Sequence, residues 1–145
     1  MTRATTRRAA VLALSIASAF MVARREALAA EPITVTARLV EIPSSLPPDD
    51  LYDYAYVMRY EVVGGAMDKQ SMLVAHYKPR QPRSKIKDAM KVHVRGKLRS
   101  FTQGDLHKLK LSPDLKSIWK GALVDEFAAT DRKSIRYWCL EVDPA

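Results

Sequence analysis

The sequence predicts a mainly β domain: a small, closed or nearly closed antiparallel barrel with one or two short helices, or alternatively a β-sandwich. Three observations carry this. Four of the six tyrosines fall at positions 52, 54, 56 and 60, a spacing with the period of a strand. Several further short runs alternate or are rich in β-branched residues, and Pro- and Gly-containing turns separate them. The chain has 145 residues, of which about 115 lie beyond an N-terminal leader, enough for one modest hydrophobic core.

In chain order, Ile33-Thr34-Val35-Thr36-Ala37-Arg38-Leu39-Val40 alternates and predicts a half-buried first strand to about Ile42. Pro43, Pro47 and Pro48 make the next stretch a loop, because proline fixes φ and removes a donor. The tyrosine strand follows from about Tyr54 to Val63. Tyr54, Tyr56, Met58, Tyr60 and Val62 share one face, expected to fill the core. Gly64-Gly65 supplies a turn at which positive φ costs little. Ser71 to Tyr77 is apolar on both parities and predicts a strand buried on both faces, forming a hairpin with the second. Lys78-Pro79-Arg80-Gln81-Pro82-Arg83 is a basic loop. Ser84 as cap predicts a short helix over Lys85 to about Met90, and Met90, Val92 and Val94 lead into a strand from about Lys91 to Leu98. A turn at Phe101–Asp105 precedes a strand from Leu106 to Leu111. Ser112-Pro113, with Gly121 as the stop, predicts a second short helix with an apolar face of Leu115, Ile118, Trp119 and Ala122. Ser134 to Val142 is the last strand. This order of short strands, with a helix after the third, is closest to the oligonucleotide/oligosaccharide-binding (OB) barrel.

The first 29 residues read as a secretory signal peptide. Arg3, Arg7 and Arg8 are its positive region, Ala9 to Ala23 its apolar core, and Ala27-Leu28-Ala29 its cleavage site. The apolar run is short for a membrane span. Export to the periplasm or beyond is therefore expected, by the Tat or the Sec route. Arg7-Arg8 and the basic Arg24-Arg25 suit Tat, whereas Ala10-Val11 stands where a bulkier pair is usual. Residues 30–145 then form a single domain with no transmembrane span after cleavage. Its single cysteine, Cys139, excludes an intrachain disulfide and is expected to be buried.

The formal charge of +8 is unevenly spread. Lys78 to Arg99 carries nine basic residues and one acid, Asp88, so it holds the whole positive excess of the mature domain. Lys78, Arg80, Arg83, Lys85 and Lys87 are the candidate anion-binding residues. Export removes nucleic acid as the partner, and few aromatics interleave the segment to stack bases. An anionic polysaccharide or an acidic protein remains. Asp50, Tyr52 and Asp53 are a second candidate ligand site, an aromatic face beside carboxylates that suits a sugar.

The tyrosine strand, His76-Tyr77-x-Pro79 and Phe101-x-x-Gly104-Asp105-x-His107-x-Leu109 together resemble a family of small exported bacterial proteins of unassigned activity. The resemblance covers most of the mature chain. It implies a place beside envelope polysaccharide O-acylation and carries no catalytic motif. The Phe-x-x-Gly-Asp turn also occurs in other small barrels, netrin-like modules among them.

No hydrolase, zincin or phosphate-loop signature is present. His76, His93, His107 and Cys139 lack ligand spacing, and each is placed on a different predicted strand, so no metal and no cofactor are expected. His76 is expected to bond a backbone group and His107 to be exposed. The functional expectation is a non-enzymatic periplasmic binding or accessory domain, with an enzyme acting on an envelope glycan as the alternative.

Overall fold

The tyrosine strand becomes a largely enclosed element. In the computed structural model, which describes residues 31–44, 46, 47 and 52–145, β2 (Tyr54–Val62) buries Tyr54, Tyr56, Met58, Tyr60 and Val62 together. Their period of two places all five inside the sheet, as the spacing predicts. The predicted leader and Asp50 lie outside the described residues.

Around β2 stand β1 (Ile33–Glu41), β3 (Ser71–Tyr77), β4 (Leu106–Ser112), a three-residue β5 (Ala122–Val124) and β6 (Arg136–Pro144). They form one mixed sheet in the order β1-β4-β6-β3-β2-β5, with β1 also pairing β2. Hydrogen bonding therefore returns on itself through β1-β2-β3-β6-β4 and back to β1. The strands make one sheet, not the two of the sandwich alternative. Pairing is antiparallel except between β3 and β6 and between β2 and β5. This corrects the all-antiparallel expectation. The chain leaves β3, builds β4 and the long 113–135 connection, and enters β6 in the direction of β3, a relation that needs such a crossover.

Ala37, Leu39, Met72, Val74, Leu109, Leu111, Cys139 and Val142 complete the interior beside the β2 tyrosines. A second core lies on the other side of β2 and β3. There Ala55, Val57, Leu73, Ala75, Tyr77 and Trp138 meet Ile86, Val94, Leu115 and Phe127 from the connections. Ala55 and Val57 are fully buried because the connections cover them. Trp119 stacks on Trp138 at 5.9 Å and meets Tyr77 edge-on at 5.2 Å.

The connections depart from expectation. Arg83–Lys85 and Ala89–His93 are short 3-10 turns, in place of a helix over Lys85–Met90. Asp88 caps the second by accepting from Met90 N at 2.9 Å, the role expected of Ser84. No strand forms from Lys91 to Leu98; only Arg95 bridges, to Glu141. β3 pairs with β6 only over Arg136–Trp138, and beyond it the 95–98 segment meets the same edge irregularly, with Arg95 N donating to Leu140 O at 2.9 Å, Val142 N to Arg95 O at 3.0 Å and Leu98 N to Val142 O at 3.3 Å. Gly96 then brings the backbone against β6 at φ +118, where an added Cβ would stand 2.0 Å from Val142 O. The second helix is a single turn, α1 (Leu115–Ile118), with Asp114 as its N-cap residue. Ser112 instead ends β4, and its Oγ accepts from Asp114 N at 3.2 Å. The last strand starts at Arg136 because Ser134 is held by Asp131.

Tyr56 is 1% exposed, and its hydroxyl accepts from Ser44 N at 3.1 Å, so truncation removes both core volume and a loop anchor. Tyr56→Ala is expected to cost about 3–5 kcal/mol in a denaturant titration; a loss below about 1 kcal/mol would mean the face is not load-carrying. Gly96→Ala is expected to destabilise by more than the ~1 kcal/mol typical of an exposed change, because it adds both strain and a backbone clash.

Candidate functional site

The basic connection divides into anchors and free cations. Arg83 is 3% exposed, which corrects its placement on an exposed anion-binding loop. Its Nη2 donates to Lys78 O at 2.8 Å and Gln81 O at 3.0 Å, and its guanidinium lies 5.2 Å from the centroid of the Phe101 ring. The backbone also closes here, with Arg83 N donating to Leu98 O at 3.0 Å. Arg83 thus pins both ends of the 78–99 segment. Lys78 is half-buried, and its Nζ meets Asp53 Oδ1 at 2.6 Å. Arg80, Lys85 and Lys87 are exposed, and no ion pair engages them among the described residues. Lys91, Arg95, Lys97 and Arg99 are exposed as well. Asp88, the only acid of the segment, accepts from the Tyr77 hydroxyl at 2.6 Å and from Met90 N. The result is a cationic surface on a fixed backbone.

The two sequence-predicted sites touch at the Lys78–Asp53 pair. Tyr52 is 48% exposed and meets Tyr54 edge-on at 5.8 Å. Across this rim, Ser44 Oγ donates to Glu126, joining the β1–β2 loop to the β4–β6 connection.

The sequence reading missed a buried cluster. Tyr60 Oη lies 2.9 Å from His76 Nε2 and 3.0 Å from His107 Nδ1. A phenol has one proton, so one imidazole accepts it while the other donates its own N–H to the phenol oxygen. His76 does not bond a backbone group, and His107 is fully buried, not exposed; both expectations are corrected. The signal was available in the strand parity. His76 shares a face with Met72 and Val74, and His107 with Leu109 and Leu111, all interior residues. Phe101 covers the pair, 4.4 Å from His76 and 5.8 Å from His107. His76 Nδ1 and His107 Nε2 have no hydrogen-bond partner among the described residues.

Burial sets the protonation states. It pushes the Tyr60 phenol well above its ordinary value, with the Cys139 thiol adding to the effect and Arg83 opposing it. It pushes His76 well below its ordinary value, helped by Arg83 and His107, and lowers His107 against the pull of Asp105. Burial also raises the Cys139 thiol to about 12, so it is neutral and a poor nucleophile. The cluster is a neutral hydrogen-bonded network buried from solvent. Among the described residues, no group of three or more His, Cys, Asp or Glu is placed to hold a metal, and no helix is long and apolar enough to cross a membrane.

Compared with family models, curated proteins and solved structures, the chain matches none of them.

Because His76 and His107 have folded-state values below the ordinary 6.5, the unfolded chain binds more protons in acid. Their contribution is intact above about pH 6.5 and is lost as the pH falls below it. The loss approaches about 1.4 kcal/mol per pH unit per imidazole. Denaturation between pH 7.5 and 5 measures it, and the double variant His76→Gln, His107→Asn is expected to flatten the slope. Tyr60→Phe leaves both imidazoles without the bridging hydroxyl and is expected to cost about 1–3 kcal/mol; unchanged stability would show that the network contributes nothing.

Proposed function

We propose that this protein is an exported, non-enzymatic binding or accessory domain. Its strand ring is an OB-type barrel, and its β3–β4 connection holds an anionic partner. Five strands joined as β1-β2-β3-β6-β4-β1, with the β3–β6 pair parallel, support the barrel assignment. The observation that carries the binding role is the basic connection. Its backbone is fixed by Arg83, and its exposed cations are left without ion pairs among the described residues. A pre-set cationic surface loses little conformational entropy on meeting a polyanion.

The outer face of β2–β3, where OB barrels hold oligonucleotides and oligosaccharides, is covered by Leu115, Phe127 and Trp119. This directs binding to the connection. An acidic envelope polysaccharide is the partner that fits both the cations and the export signal, and a role in polysaccharide modification belongs to the same proposal. The buried Tyr60–His76–His107 cluster offers no open position for a substrate, which weighs against the enzyme alternative.

The test is a titration with an acidic and a neutral glycan at two salt concentrations. Binding to the acidic glycan is expected to weaken steeply with salt, as the Debye length falls from about 10 Å at 0.1 M to about 3 Å at 1 M. Arg80→Glu, Lys85→Glu and Lys87→Glu together are expected to abolish it with the fold intact. Arg83→Glu is expected to unfold the domain, because it places an acid among carbonyl acceptors in the interior. Preference for the neutral glycan, or binding unchanged by the triple reversal, would overturn the proposal.

A further inference from the structure

A groove of about 730 Å³ lies on the β4–β6 connection. None of its lining residues belongs to the basic connection. Leu115, Leu123, Ala128, Ala129 and Ile135 give it an apolar lining. Leu123 and Ile135 are 37% and 53% exposed, and neither belongs to either core cluster. The size falls in the range of small-ligand pockets, about 300–1,000 Å³.

Its walls are held in place. Arg136 Nε donates to Asp125 Oδ2 at 2.8 Å, with both side chains 14% exposed. Arg136 also donates through Nη1 to Ser134 O at 2.8 Å and through Nη2 to Asp131 O. Asp125 Oδ1 accepts from Phe127 N at 3.0 Å. The Asp131 carboxylate accepts from Ser134 Oγ at 2.6 Å, Ser134 N at 2.9 Å and Lys133 N at 3.1 Å, contacts that lower its pKa. Arg136 and Asp125 therefore neutralise each other. What remains for a ligand is Lys116 and Arg132, both exposed and outside any ion pair among the described residues, against one acid, Asp114.

We propose that this groove binds a small amphiphilic carboxylate, with its apolar chain along Leu123 and Ile135 and its head group at Lys116 and Arg132. The lining matches both halves of such a molecule: apolar side chains that stay in water when the groove is empty, and a net positive rim. Burying the chain removes Leu123 and Ile135 from water. The rim cations favour an anionic head over a cationic one.

The probe is decanoate below its micellar concentration, with decanol and decyltrimethylammonium as matched chains. Amide and methyl shifts of the folded domain are followed by NMR. Decanoate is expected to shift Leu123, Ala128 and Ile135 saturably, and to bind at least tenfold tighter than decyltrimethylammonium and several-fold tighter than decanol. Lys116→Glu with Arg132→Glu is expected to remove the preference for the anion. Ile135→Glu, at an exposed position, is expected to remove binding while leaving the spectrum of the barrel core unchanged. Equal binding of all three probes, no saturable shift in the groove, or shifts confined to other surfaces would overturn the proposal. So would concentration-dependent self-association that Ile135→Glu abolishes, since the occupant would then be a second copy of the chain. The Arg80, Lys85 and Lys87 reversals leave the groove intact, so failure here and failure of polysaccharide binding are separate results.

Discussion

The hydroxyl of Tyr60 is the constraint around which this domain is arranged. It stands on β2 and bonds an imidazole from β3 and another from β4, so three strands are tied by side chains across the interior. β3 and β4 are not neighbours in the sheet, because β6 runs between them. The network therefore adds a tie that the backbone ladder does not make. A buried polar group holds its place only while its partners are present. Phe101 and Arg83 close over the network, and Arg83 in turn fixes the basic connection. Interior order thus extends from a phenol to the surface on which the proposed function rests.

The cations of the 78–99 segment show how one run of like charges can hold two different roles. Arg83 is an interior residue whose guanidinium satisfies backbone carbonyls, a geometry suited to its planar fork of donors. Arg80, Lys85 and Lys87 are exposed on the backbone that Arg83 fixes. Self-repulsion along such a segment is a cost of about the size of weak surface interactions. The anchors make that cost tolerable by leaving few alternative conformations.

The β4–β6 connection has a comparable division. Its inner side chains, Leu115 and Phe127, build a second core on β2 and β3, while Leu123 and Ile135 remain outside. The apolar content of a connection is thus split between stability and an open groove. The Asp125–Arg136 pair, with each partner satisfied by further hydrogen bonds, holds the two parts in register.

The sequence by itself determined the strand identities wherever local pattern and burial agree. Period two in β2, alternation in β1 and the doubly apolar run of β3 follow from side chains pointing to opposite faces of a strand. It also determined that no intrachain disulfide forms and that the positive charge is concentrated in one segment. Tertiary structure alone decided the rest. Whether Met90-x-Val92-x-Val94 is a strand was decided by the 3-10 turn that Asp88 caps, and the β6 edge beyond Trp138 is met by Arg95 and Leu98 instead. Whether Arg83 is a surface cation or an anchor depended on which carbonyls the loop turns inward. The meeting of His76 with His107 required β3 and β4, separated by 28 residues of connection, to face one interior. A linear pattern specifies which face a residue occupies, but not what stands opposite it.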